Sequence, residues 1–338
     1  MARPPQPKHA DSRARRRRAA ADTRATQTKV PSDGAPRSRV LGVLAIGGAV
    51  LGIALLAGVV YMILTGENPF RSDIGTTQTQ TSSEARPIST LYTSDFHSLA
   101  FSPQDPDAVY FGHHNGLMIS EDGGYTWQSW LNQRNWDAMG LAVSEGAFYV
   151  AGHDIFFKSA DGKNWEPVRH NLPGTDIHGF AADPDNPQVL YAFVVGYGLY
   201  TSNDGGSVWQ SAGAKLPQGI MALAVTAGTP KAIVAGDMQS GLLRSTDNGA
   251  TWSKVAGGFA GKYATGVAAA PKTPGLLYAG SNQGLFRSND AGATWLPLSL
   301  GVEAMGIAVS PADGQIVLVV DAKGQVYRSE DGGASWGG

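Results

Sequence analysis

Side chains able to do metal or acid–base chemistry recur in this sequence at one phase. Aligned on six recurring tryptophans, His97, Met139, His178, Met221, Thr265 and Met305 fall at equivalent positions. Two residues ahead of four of them stand Asp95, Asp137, Asp176 and Glu303. Nearby turns carry His113, His114, His153, Asp154, Asp237, Met238 and Asp321. Imidazole and thioether donors in a chain without cysteine suit copper, Cu(I) above all, and the carboxylates widen the choice to other divalent metals. The same residues also fit a simpler account, with methionines packing a channel and histidines standing as ordinary polar residues at strand ends. Paired carboxylates could in principle serve a glycoside hydrolase as acid and as nucleophile or base.

What positions these side chains is a repeat. The segments SEDGGYTW at 120, SADGKNW at 159, SNDGGSVW at 202, STDNGATW at 245, SNDAGATW at 288 and SEDGGASW at 329 share one pattern. Their tryptophans, Trp127, Trp165, Trp209, Trp252, Trp295 and Trp336, are spaced by 38, 44, 43, 43 and 41 residues. That is the period of a four-stranded propeller blade. Asp122, Asp161, Asp204, Asp247, Asp290 and Asp331 can accept hydrogen bonds from nearby backbone N–H groups, and the glycines supply positive φ. Both features make the turns structural. The last tryptophan is followed only by Gly337 and Gly338, which leaves the sixth blade without a fourth strand of its own. Residues 88–92 stand where such a strand belongs, so they are expected to close the ring and remove an exposed sheet edge.

Five of the six segments fit S-x-D-x-G-x-x-W in full, and the second is one residue short. The pattern resembles the Asp-box, or BNR, repeat family, found in sialidases, sortilin-type receptors and exported bacterial propellers. The resemblance covers residues 88–338. It implies a six-bladed all-β propeller with its ligand side opposite the boxes, and a role as a receptor, assembly factor or glycosidase. A sialidase-like site would need an arginine cluster and a tyrosine beside an acid. Here Arg244, Arg287 and Arg328 each precede a box serine and so face away from the candidate site.

In a four-stranded meander, the start of strand one and the turn between strands two and three share a face, which collects the residues named above. Ligands from opposite blades stand far apart, so a site on blades 1–3 built from His97, His113, His153 and His178 is favoured over a ring. Two further tryptophans, Trp130 and Trp136, lie in WLNQRNWDAMG after the first box. As an exposed loop they could meet a protein or glycan partner together with Asp95, Asp137 and Asp176; as packing they would cover the next blade.

The rest of the chain reads differently. Residues 1–39 carry 11 Lys and Arg against 3 Asp, a local balance of +8 within a net charge of −2. The remainder is therefore acidic, which speaks against a nucleic-acid partner for the propeller. Residues 40–64 contain no charge and are long enough to span a bilayer as a helix. Their length exceeds the apolar core of a cleavable signal peptide. The basic tail then lies in the cytoplasm, with the propeller outside a plasma membrane crossed once. Gly47 or Gly48 with Gly52 resembles a helix-pairing pattern. Residues 65–87, rich in Thr, Ser and Gln, read as a flexible tether.

Overall fold

The computed structural model describes residues 85–93, 95–132, 134–144 and 146–337. The expected basic tail and membrane helix, and residues 65–84 of the expected tether, lie outside these. No helix among the described residues is long and apolar enough to cross a membrane.

The described chain forms six four-stranded antiparallel sheets. After a short first strand, β1 (Ser89–Thr90), blade 1 comprises β2 (Ser98–Phe101), β3 (Val109–His113), β4 (Gly116–Ser120) and β5 (Gln128–Asn132). Blade 2 comprises β6 (Asp137–Ser144), β7 (Ala147–His153), β8 (Ile155–Ser159) and β9 (Glu166–Pro167). Blade 3 follows with β10 (Ile177–Asp183), β11 (Asn186–Val194), β12 (Gly198–Ser202) and β13 (Trp209–Ser211). Blades 4 and 5 repeat the pattern over β14–β17 (220–254) and β18–β21 (264–297). Blade 6 has β22 (Ala304–Val309), β23 (Val317–Asp321) and β24 (Gln325–Ser329). Each innermost strand touches the next, and β22 meets β2, so the sheets close a ring. This is a six-bladed β-propeller.

Closure is made as the sequence requires. β1 pairs antiparallel with β24, Ser89 opposite Val326 and Thr90 opposite Gln325. The Ile88 and Leu91 N–H groups extend the ladder to the Val326 and Gly324 carbonyls at 2.8 and 2.7 Å. Blade 6 thus obtains its fourth strand from the opposite end of the domain.

The apolar cores lie between blades. Leu190, Val194 and Phe180 of blade 3 pack on Tyr149 and Phe156 of blade 2, and Tyr278 and Leu285 of blade 5 pack on Val317 and Tyr327 of blade 6. Alternating strands present one apolar face to each neighbour, which is why both faces of a blade are buried.

The repeated turns bind themselves together. In blade 4 the Ser245 hydroxyl donates to Asp247 Oδ1 at 2.8 Å and accepts the Gly249 N–H at 2.9 Å. Asp247 then accepts the Thr251 N–H and hydroxyl at 2.8 and 2.5 Å. These donors hold the Asp247 carboxyl down at about 2, the Thr251 hydroxyl first among them. The shortened second turn finds substitutes: Asp161 accepts the Lys163 and Asn164 N–H groups, each at 2.8 Å, and the Asn164 amide at 2.7 Å. Every repeat tryptophan donates its indole N–H to a turn carbonyl, as Trp209 does to Gly206 at 2.7 Å.

Arg244, Arg287 and Arg328 reach from these turns into the next blade. They donate to the Ala291, Gly332 and Gly123 carbonyls at 2.6, 3.2 and 3.0 Å. All three are therefore straps on the turn face, and Arg328 crosses the ring closure.

Candidate metal centre on blades 1 to 3

The opposite face is set by strand starts and by the turns between second and third strands. β2 follows Asp95 and His97, β6 begins at Asp137, and β10 follows Asp176 and carries His178 in its second position. β3 ends at His113, with His114 in the following turn, and β7 ends at His153. Gly152 allows the strands to approach: a Cβ there would lie 1.7 Å from the Asp137 carbonyl oxygen. That contact seats His153 directly opposite Asp137 in the ladder.

The result is one row in which carboxylates and imidazoles alternate across three blades. His97 Nε2 lies 3.4 Å from Asp95 Oδ1 and 3.2 Å from Asp137 Oδ1. His114 Nδ1 lies 2.5 Å from Asp95 Oδ2 and 3.4 Å from His97 Nε2. Asp137 Oδ2 stands 2.6 Å from His153 Nδ1 and 3.3 Å from His114 Nε2. His153 Nε2 and His178 Nε2 are 2.8 Å apart, and lie 3.1 and 3.0 Å from Asp176 Oδ1. Two groups have the spacing of ion ligands, Asp95/His97/His114 and His153/Asp176/His178.

Electrostatics favour a cation. Burial pushes the His97 and His178 imidazoles below their usual range, outweighing the pull of Asp137 and Asp95 on the first and of Asp176 on the second. A neutral imidazole keeps one ring nitrogen bare, as a metal ligand must. The row then combines three carboxylates with imidazoles of which His97 and His178 favour the neutral form. Asp137 Oδ1, though near an imidazole nitrogen, is buried and accepts no hydrogen bond, and His178 Nδ1 has none either. Buried polar atoms without hydrogen bonds are uncommon, and a cluster of them at one place calls for a partner.

The remaining candidate residues divide by position. Met139, Met221 and Met305 line a cavity of about 70 Å³ at the channel axis together with His97, His178 and Thr265. Two residues of the row therefore also face the methionines. His113 stays outside the row: its ring stacks on Phe111 with centroids 6.3 Å apart, and its Nδ1 accepts the Asn115 N–H at 3.3 Å. His114 takes the place expected for His113, because the turn after β3 carries it toward Asp95 whereas strand alternation turns His113 away. Asp237 and Asp321 close their own turns by accepting the Ser240 N–H at 2.7 Å and the Lys323 N–H at 2.8 Å. Glu303 accepts the Tyr263 hydroxyl at 2.8 Å, and Asp154 accepts the Thr175 hydroxyl at 2.5 Å.

Of the two readings of the tryptophans after the first box, the structure shows packing on the next blade. Trp130 lies within β5 and donates its indole N–H to the Gly162 carbonyl at 2.6 Å. Trp136 stacks on Phe157 with centroids 4.2 Å apart and meets Trp165 edge-on. Both are half-buried against blade 2, because the large aromatic area is more stable between blades than in water. His153 and His178, grouped on one face by the sequence, are in direct contact in the structure. His153 belongs to a second strand and His178 to a first strand of the next blade, so only the angle between blades brings them together.

Residues 130–338 match a family model described as the DUF6242 beta propeller domain. The match includes His153, Asp176 and His178 but begins beyond Asp95, His97 and His114. No curated protein matches the sequence. Among solved structures, an ancestral GH74 enzyme is similar at 16% identity and a TM-score of 0.51, over 73% of this chain and 40% of that one. The GH74 enzyme of Niastella koreensis is similar at 17% identity and a TM-score of 0.50, over 71% of this chain and 46% of that one. The structure of U3-55K is similar at 11% identity and a TM-score of 0.50, over 73% of this chain and 98% of that one. The chain thus spans less than half the length of the two GH74 enzymes. At these identities the likeness is one of fold.

Proposed function

The chain belongs to the DUF6242 beta propeller domain family, and on that premise we propose that it is a membrane-anchored, extracytoplasmic binding module that holds a divalent metal ion on blades 1–3. The observation that carries the reading is the triangle of His153 Nε2, His178 Nε2 and Asp176 Oδ1, with sides of 2.8, 3.1 and 3.0 Å. Three ligand atoms about 2.0–2.1 Å from one tetrahedral ion stand roughly 3.3 Å apart. The triangle needs only a slight opening to seat such an ion. Nitrogen and oxygen donors favour a borderline divalent ion, Cu(II) or Zn(II), over Cu(I), whose thioether donors lie at the channel axis. The anchor is supported by the uncharged stretch 40–64 and the basic tail before it. The serine–aspartate turns, with their repeated hydrogen bonds, support the likeness to Asp-box repeats.

A glycoside hydrolase has no comparable support here. The repeat arginines donate to the turn face, away from the carboxylates of the row. A protein ligand on the metal face remains compatible with the module, since a rigid propeller displays loops from several blades together.

The test is thermal melting of the full-length chain with and without Zn(II) or Cu(II). A ligand at about 100 times its dissociation constant stabilises the folded state by about 2.7 kcal/mol. The wild type is expected to show at least that rise in melting temperature, and His178→Ala a smaller one while melting at nearly the wild-type temperature without metal. Equal shifts in both proteins would remove the assignment to this site.

A further inference from the structure

Resting on the metal-binding reading above, we infer that the row is a two-ion centre in which Asp137 couples the two positions. The second position is Asp95, His97 and His114, whose ligand atoms also lie within 4.8 Å of one another. Asp137 belongs to neither group, yet it faces both. Its Oδ1 stands 3.2 Å from His97 Nε2 without a hydrogen bond, where it can complete the donors around the ion at this second position. Its Oδ2 stands 2.6 Å from His153 Nδ1.

The second contact fixes a tautomer. A carboxylate at that distance accepts a hydrogen bond from Nδ1–H and holds the proton there, which leaves Nε2 bare and directed at His178 Nε2 and Asp176. Carboxylate, imidazole and metal in series are a recurrent way of orienting a ligand, and removing the carboxylate typically weakens metal binding about 10–100-fold. In this chain one carboxylate would do both jobs, ligand to one ion through Oδ1 and positioning residue for the other through Oδ2. Its immersion explains how it is held: the Asp137 side chain is 9% exposed, whereas that of Asp176 is 49% exposed. Each ion then has two imidazoles and at least one carboxylate, a donor set suited to Zn(II) and Cu(II).

The experiment is calorimetric titration of the full-length chain with Zn(II), with bound metal counted after gel filtration, for wild type, His97→Ala, His178→Ala, the double variant His97→Ala/His178→Ala and Asp137→Asn. Circular dichroism melts establish that each variant is folded. Any site in the basic tail is common to all five proteins, so differences from wild type are decisive. The expected result is two ions fewer in the double variant, one fewer in each single histidine variant, and about 10–100-fold weaker binding at both positions in Asp137→Asn. Co(II) absorption reads the same change: the bands of both ions are expected to shift in Asp137→Asn. A double variant that loses only one ion, no more than either single histidine variant, would overturn the two-ion centre and leave a single metal site. Loss at only one position in Asp137→Asn would overturn the coupling. No difference among the five proteins would overturn the metal-binding reading itself.

Discussion

The two faces of this propeller use the same residue, aspartate, to opposite ends. On the turn face each repeat carboxylate is saturated by donors from its own loop: Asp290 accepts from Ser288 and twice from Thr294, all within 2.9 Å. On the other face Asp95, Asp137 and Asp176 look at imidazoles, and a buried oxygen of Asp137 accepts no hydrogen bond. A saturated carboxylate serves the fold, whereas an unsaturated one beside neutral imidazoles is available to a cation. The channel mouths differ in the same sense. At the turn face the mouth is a cavity of about 420 Å³ lined by Val143, Phe180, Val225, Val267 and Pro311 among others, without histidine or methionine.

The contrast can be broken by substitutions on the turn face. The largest effect is expected from Trp295→Ala, which removes an indole that is 1% exposed between blades 4 and 5. It should cost about 3–5 kcal/mol in denaturant unfolding. Ser245→Ala deletes the hydroxyl that joins Asp247 to the Gly249 N–H and should cost about 1–3 kcal/mol, because a buried donor is left unpaired. Both variants, once folded, are expected to take up as much Zn(II) as wild type. Reduced uptake would show that the faces are not independent.

The smallest effect is a matter of pH. Asp247 is held at about 2 in the fold, below the ordinary value of about 3.9 expected in the unfolded chain. Its contribution to stability is thus fully present above the unfolded value and is lost as pH falls through about 2. The difference in melting temperature between wild type and Asp247→Asn should be constant above about pH 5 and shrink toward pH 2. A gap that persists at pH 2 would mean that the carboxylate's charge is not what the turn uses.

Much of the fold is legible in the chain because its signals are local and repeated. Serine, aspartate, glycine and tryptophan lie within eight residues of one another, so each turn closes on itself whatever surrounds it. Six such turns at a blade's period leave little choice of architecture, and residues 88–92, expected to close the ring, contain β1, which pairs with β24. The site was legible only in part. Alignment of repeats brings His97 and His178 to one phase, yet it ranks His113 with them and treats the methionines as equal partners.

The sequence by itself determined the repeat, its turn chemistry, the two faces and the cluster of imidazoles on one of them, since these follow from spacing and alternation along single strands. Only the tertiary structure decided that His114 and not His113 joins the row, that Trp130 and Trp136 pack on blade 2, and that Asp137 stands between two ligand groups. Those facts depend on the angle between adjacent blades, which no spacing within a single strand states.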